Sequence, residues 1–495
     1  MPRGPATWMT LLALGSAFAS GCAVGPDFVR PEAPAVDRYT PEGDPATTVA
    51  ADGEAQRLER GAEVVGDWWS LFGSPELDAL VKDAVQGNQT LKGAVASLRA
   101  SQANLRAGYG IFFPQADLDA SFSRQKFSLA KLGEPSIPSP VFNLFSLSGT
   151  VSYTLDLWGG QRRAVESLKA QADFQRVSVA AAYVTLTANV VNAVIAAAAY
   201  EEQAKATEDI ARDQREQVEI TMAQAEAGTA AYSSAFSLRS QLASVEATVP
   251  PLRQRAAEAE HLLATLAGTL PGQWKPPSVT FSDLKLPASV PVSLPSEIVH
   301  QRPDILAAEA QLHQASAEIG VATAALFPNI TLTGSLGGNN TTLSTLLAPG
   351  GIFWSLGAGL TTPLFHGGEL LEKRQAAIDA YDQALAAYRQ TVLTAFAQVA
   401  DALKALEHDA EALDHYARAM ADADEALRLV RANYEAGTAN YLQVLVAVAQ
   451  LHQARIGYVQ ARAQRLQDTV ALFVAVGGGW WDSGRSLLVQ DAARH

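Results

Sequence analysis

The sequence predicts an α+β membrane protein made of two tandem copies of one unit, each a strand pair joined to a long helical hairpin. Three observations carry that prediction: an ordered internal repeat, four segments of alternating polarity, and a heptad pattern sustained through a proline-free stretch. The repeat comes first, because missing it misassigns the whole fold. Glu226-Ala227-Gly228-Thr229-Ala230-Ala231-Tyr232 returns as Glu435-Ala436-Gly437-Thr438-Ala439-Asn440-Tyr441. Phe113-Pro114 is echoed by Phe327-Pro328, and Gly159-Gly160 by Gly367-Gly368, in the same order and at nearly the same offset. Each echo falls where one hydrophobic pattern gives way to another.

The N-terminus reads as an export signal. Arg3 precedes an apolar run from Trp8 to Phe18 that closes on Ala19-Ser20-Gly21-Cys22. A short apolar core between a positive start and small residues is a secretory signal, too short to span a membrane. Residues 1–21 are assigned to it. An ordinary signal peptide with a stray thiol has the same profile, but a lone exposed thiol is poorly suited to export. From Cys22 to residue 74 the chain is rich in Pro, Ala and charge and reads as an extended arm. Beyond residue 21 no run of 18 uninterrupted apolar residues occurs, so no bilayer-crossing helix is expected.

Repeat 1 is assigned to 75–270 and opens with helical spacing to Phe112. The pattern then switches to strict alternation. Ala116, Leu118, Ala120 and Phe122 alternate with polar residues over about 114–124. After a loop with three prolines, Leu147, Gly149, Val151, Tyr153 and Leu155 do the same over about 146–158. Repeat 2, 296–476, copies this. Ile330, Leu332, Gly334 and Leu336 alternate over about 328–338, and Ile352, Trp354, Leu356, Ala358 and Leu360 over about 352–365. Each segment matches the roughly 9–11 residues a tilted strand needs to cross a bilayer. A soluble half-buried sheet gives the same alternation in any one segment. In lipid, four strands cannot close, and open edges leave backbone groups unsatisfied. Other copies of the chain are therefore expected to complete the barrel.

The helices follow directly. Leu371, Ile378, Leu385, Val392, Val399, Leu406, Leu413, Met420, Leu427 and Tyr434 mark an unbroken heptad through a rod predicted over 368–436, a coiled-coil-type seam. The equivalent first rod, 159–227, has a weaker seam of Val165, Ala172, Val179, Leu186, Ala193 and Tyr200. Each rod is predicted to stop at the tip glycine, Gly228 or Gly437, by the left-handed C-terminal cap. Return helices are predicted over 232–268 and 441–476, a Pro-rich linker over 271–295, and a tail over 477–495.

The formal charge is −14, which argues against a nucleic-acid partner. The sequence holds no His-Glu-x-x-His, phosphate loop, Gly-x-Ser-x-Gly or dinucleotide fingerprint. His408 and His415 lie two turns apart, about 10 Å, too far to hold one metal. Asp422, Asp424 and Glu425 read as a wet helix face. No enzyme, no cofactor and no metal site is expected.

Taken together, Gly21-Cys22-Ala23-Val24-Gly25-Pro26-Asp27-Phe28, Asp67-Trp68-Trp69, Arg302-Pro303-Asp304-Ile305 and Glu435-Ala436-Gly437 with Tyr441-Leu442 resemble the outer-membrane factor family, the TolC-like channels. The likeness is to the lipoprotein branch that includes OprM and NodT-type proteins, and covers essentially the whole mature chain. It implies a homotrimer whose twelve strands form an outer-membrane barrel and whose helices form a periplasmic tunnel. It implies lipid (palmitate) on Cys22, although Ala19 departs from the usual leucine. It also implies export of small molecules such as drugs or metals, with a periplasmic adaptor and an inner-membrane transporter of the RND type. A duct for type I protein secretion is the competing reading, and such ducts usually lack the lipid signal. Gly228, Thr229, Gly437 and Thr438 are then expected at the tips that meet the adaptor. TolC-like channels often carry aspartates six and nine residues after the second tip glycine. Here those positions are Gln443 and Val446, preceded by Leu442, with Ser234 and Ser237 in the first copy. A water-excluding aperture is expected in place of an acidic ring.

Overall fold

The computed structural model describes residues 23–53, 55–126, 141–275 and 277–481. The signal segment, Cys22, the three-proline loop and the end of the tail lie outside the described residues. The chain divides into two compact units, one of residues 1–30, 98–174 and 308–388, the other of 31–97, 175–307 and 389–495.

The first unit is organised by one antiparallel sheet. Its strands are β2 (Gln115–Lys126), β3 (Val141–Leu155), β5 (Asn329–Asn340) and β6 (Ile352–Thr361), in that order across the sheet. The two repeats meet through β3 and β5, from Phe145 opposite Asn340 to Leu155 opposite Ile330. Strands predicted from alternation alone are displaced by a few residues at their ends: pairing runs on past the alternating pairs at Lys126, Val141 and Asn340, and β3 stops at Leu155, short of the expected 158. β6 stops at Thr361, short of the expected 365, where Pro363 removes a ladder donor.

Two long helices begin in the first unit and continue in the second. α3 spans Gly160–Glu226 and α8 spans Glu369–Glu435, 67 residues each and therefore roughly 100 Å long. α3 carries no charged residue from Val177 to Tyr200, and contains a window of mean hydropathy 1.7 that is 67% buried inside the fold. Thr, Ser and Asn interrupt this stretch, so it is not a run of uninterrupted apolar residues although its mean hydropathy is high. Its burial marks it as a core helix.

The second unit, with helices that run on into the first, corrects several sequence expectations. The helical stretch before β2 is α1 (Pro75–Gly87) and α2 (Gln89–Gly108), parted at Asn88, followed by a short 3-10 turn. The return helix expected over 232–268 is two helices, α4 (Tyr232–Glu246) and α5 (Val249–Leu266). Pro250 and Pro251 cannot donate to the preceding turn, so the first segment stops and a new one starts with proline in its first turn. The arm and linker are not simply extended. β1 (Arg57–Arg60) from the arm pairs in parallel with β4 (Ser289–Val292) from the linker. Further along come α6 (Pro295–Gln301), α7 (Pro303–Ala324) and the continuous return helix α9 (Tyr441–Ala475).

The motifs that carry the family resemblance hold this unit together. Trp68 is fully buried and stacks on Phe473 with ring centroids 5.1 Å apart, while Trp69 Nε1 donates to Asp78. Arg302, nearly buried, grips Asp304 through two nitrogens, Gln398 at 2.6 Å and the Ala475 carbonyl at 2.8 Å. Arg-Pro-Asp thus combines a proline-initiated helix with a charge-assisted clasp on α8 and α9.

Candidate functional site

Cross-strand register sorts the side chains of the sheet into rows. Leu118 stands opposite Gly149, Gly149 opposite Leu336, and Leu336 opposite Trp354. Two residues along, Ala116, Val151, Gly334 and Leu356 form the next apolar row. Between them, Asp117, Thr150, Ser335 and Ser355 make a polar row, in which Ser335 and Ser355 hydrogen-bond at 2.8 Å. A slip of one residue in any strand would mix the rows. Through these rows the register keeps one face apolar and the other polar on all four strands; toward the far end Phe142, Leu144 and Phe353 interrupt the polar face. Leu118 is 74% exposed, Trp354 72% and Leu356 80%, so among the described residues nothing covers this apolar face. Among the described residues, β2 and β6 each pair on one side only. Exposed apolar rows and two open edges suit a sheet solvated by lipid and completed by further strands.

The tips are built alike. Gly228 and Gly437 adopt φ of +75° and +73°, and nothing lies within 4 Å of a Cβ built on either. Thr229 N–H donates to the Gln224 carbonyl at 2.8 Å, and Thr438 N–H to the Asn433 carbonyl at 2.9 Å. Each threonine hydroxyl donates to the same carbonyl as its amide. Left-handed glycine with this backward bond is the Schellman stop.

The next helices start differently. Asn440 accepts from Gln443 N–H while the Gln443 side chain accepts from Asn440 N–H, a complete capping box, whereas Ala231 caps α4 without a side-chain bond. Gln443 is therefore engaged at the helix start, a role its spacing from the tip glycine did not reveal. Leu442 and Val446 are exposed on one face of α9, and Ser234 and Ser237 are exposed on α4. Behind them Val444, Ala447 and Val448 pack with Leu238, Leu242 and Leu427 in one core. Tyr441 rests edge-on against Tyr434, and burial pushes its hydroxyl up to about 12.

The arm is anchored where sequence reading left it loose. Val24 N–H donates to the Trp158 carbonyl, and a Cβ on Gly25 would stand 2.5 Å from Gly320 Cα. Arg163 donates to Asp27 at 2.6 Å and Glu166 at 2.7 Å, and Glu166 meets His313 at 2.8 Å. Phe28 stacks on His313 with centroids 4.3 Å apart. Burial raises the Glu166 carboxyl, but His313 and Arg163 outweigh it and hold it below the usual range. The signal was present in Gly25-Pro26-Asp27-Phe28, in which Gly25, Asp27 and Phe28 each meet a specific partner. Elsewhere, His408 and His415 are exposed on α8, and Asp422, Asp424 and Glu425 face solvent, with Glu425 bound to Arg428.

Comparison with known proteins fits this geometry. The family description "Outer membrane efflux protein" matches residues 80–269 and again 294–478, one match per repeat. The chain belongs to that family. It is 34% identical over 443 residues to the pyoverdine export outer membrane protein OpmQ of Pseudomonas aeruginosa, covering 87% of this chain and 91% of that protein. Outer membrane protein OprJ of the same species is 31% identical, covering 99% of this chain and 100% of OprJ. Among solved structures, the outer-membrane channel OprN superposes with a TM-score of 0.82 at 28% identity, over 93% of this chain and 100% of that one. This outer-membrane efflux protein is thus the channel component of an efflux system, with strands for the membrane and long helices beyond it.

Proposed function

We propose that three copies close a twelve-stranded barrel in the outer membrane, held there also by lipid on Cys22. Through this duct, small molecules pass outward from a periplasmic adaptor and an RND-type inner-membrane pump. The observation that carries this reading is the four-stranded sheet with a continuous apolar face and two open edges. A closed barrel needs every edge paired, and two copies would give eight strands, whose interior side chains would largely fill. Three leave a conducting lumen. Docking of Val24 at the base of β3 supports an anchor beside the barrel, and stable anchoring takes more than one acyl chain. Gly228, Thr229, Gly437 and Thr438 present the adaptor surface, and Leu442 with Val446 narrows the aperture by excluding water.

Native mass spectrometry of detergent-solubilised protein tests both parts. The expected particle contains three chains, each beginning at Cys22 and carrying acyl groups. A monomer or dimer overturns the trimer; an unmodified Cys22 or cleavage elsewhere overturns the anchor.

A further inference from the structure

The internal repeat gives one contact inside the chain a counterpart at its edges. Where β3 runs on toward α3, Trp158 stacks on Phe327 with ring centroids 4.6 Å apart, and its Nε1 donates to the Pro328 carbonyl at 2.8 Å. Phe327-Pro328 leads directly into β5, so this contact pins the base of the seam where the two repeats pair in the sheet. Phe113-Pro114 leads into β2 in the same way, and Leu364-Phe365 follows β6 as Leu157-Trp158 follows β3. These two half-contacts lie at opposite edges of the sheet. Phe327, seated against Trp158, is 36% exposed, whereas Phe113 is 66% and Phe365 88% exposed.

The seam contact also marks the register. Tyr153, five residues before Trp158, stands opposite Leu332, five residues after Phe327. Val151 and Gly334, seven residues from the same two rings, are likewise opposite, as are Gly149 and Leu336 at nine. The same spacing from Phe365 and Phe113 sets Leu360 opposite Leu118, Ala358 opposite Ala120 and Leu356 opposite Phe122. All six belong to the apolar face, while Thr361 falls opposite Asp117 and Gly359 opposite Asp119 on the polar one. A shift of one residue would set apolar against polar throughout. The aromatic junctions and the strand alternation are separate features of the sequence, and they agree on one register. One pair further out, Trp354 falls opposite Arg124, where a guanidinium over an indole is favourable.

On the basis of the trimeric assembly, we propose that Phe365 of each copy seats on Phe113-Pro114 of the next, with β6 and β2 paired so that Leu360 opposes Leu118. The contact is head-to-tail: every copy offers Phe365 at one edge and receives one at the other, and the ring closes when the rotation returns to the first copy. Both open edges are thereby paired. Phenylalanine has no N–H, so this contact rests on ring packing and apolar burial, without the hydrogen bond that Trp158 makes. The junctions also differ in length. Left-handed Gly159 alone separates Trp158 from α3, whereas His366 and left-handed Gly367 and Gly368 separate Phe365 from α8. The longer, glycine-rich connection lets Phe365 settle against a second copy without dictating where α8 starts.

Paired cysteines in the full-length protein test the register. Directly opposed residues on one face hold their Cβ atoms about 4.5–5.5 Å apart, within small adjustment of a disulfide. Oxidation of Leu118→Cys with Leu360→Cys should join most chains into covalent dimers and trimers. Tyr153→Cys with Leu332→Cys, the equivalent pair inside the chain, should close without changing the mass in denaturant. Leu118→Cys with Thr361→Cys, which lie on opposite faces, should link several-fold less, as should each single variant, and the single variants also account for Cys22. If native mass still shows a trimer but Leu118→Cys links better with Ala358→Cys or Thr362→Cys, or with none of the three, the contact is overturned while the trimer stands. Loss of the trimer from the unmodified protein overturns both. Should the cysteine variants fail to insert, imaging of the unmodified trimer decides: the rings of Phe365 and the neighbouring Phe113 should lie with centroids within about 7 Å, and a wider gap overturns the contact.

Discussion

The two long helices are equal in length and unequal in what covers them. On α3, Val165, Ala172, Val179, Leu186 and Ala193 are all buried within the chain. On α8, the buried heptad residues are Val392, Val399, Leu406, Leu413 and Leu427, while Leu371 is 64% exposed. The sequence pointed the other way, since α8 has the more regular heptad. A regular seam reports a partner that repeats along the helix, and says nothing about whether the partner lies in the same chain. α3 relies on small residues that let its neighbours approach closely. Along the first stretch of α8 the described residues leave Leu371 exposed and only partly cover Ile378 and Leu385, as expected of a surface awaiting another copy.

Charge on each seam should break the comparison most visibly. Val165→Asp leaves an unpaired charge in a filled core, and a loss of about 3–5 kcal/mol should abolish the folded chain. Leu371→Asp should leave each chain folded but reduce the trimer at least several-fold. Thermal unfolding and particle mass separate the two outcomes. A Leu371→Asp protein that assembles like the native one would show that this stretch of seam meets no second copy.

The tips test whether the repeats are equivalent where their backbones agree. Valine at Gly437 or Gly228 must enter a left-handed conformation, a strain of about 1–2 kcal/mol for an ordinary residue and more for a branched one. Barrel insertion should survive, while adaptor cross-linking and efflux fall several-fold, by similar amounts for the two sites. Unchanged efflux in both single variants and in the double variant would remove the tips from the adaptor contact.

The smallest expected effect concerns the side chains just beyond the tips. Leu442→Ser with Val446→Ser should raise leak conductance of reconstituted channels a few-fold, while Ser234→Ala with Ser237→Ala changes little. Divalent cations should block weakly, for want of a carboxylate ring among these positions. Strong cation block mapped to this end, or an unaltered closed state in the leucine–valine double variant, would place the narrowest ring elsewhere.

Legibility in the sequence followed the range of the interaction. Strand polarity, rod limits and both tip glycines were readable because each rests on neighbours a few residues away. The break between α4 and α5 was also locally encoded, in Pro250-Pro251, but the strength of the repeat argument masked it. The arm clamp around Arg163 was half visible: Asp27 and Phe28 stood out, whereas Glu166 and His313 are ordinary helix residues until the fold brings them together. Gln443 was read by its distance from Gly437, and its capping bond to Asn440 was overlooked although the spacing allowed it.

By itself, the sequence determined that this protein is a duplicated unit of membrane-length strands and long helices stopped by glycine. Periodicity and backbone conformation are local properties, fixed by side-chain spacing and by the φ a residue can reach. Only the tertiary structure decided that β1 pairs with β4 from the other half of the chain and that four strands align their apolar rows. Those pairings rest on register and burial between segments distant in sequence, where no local pattern records which side chain will be opposite which.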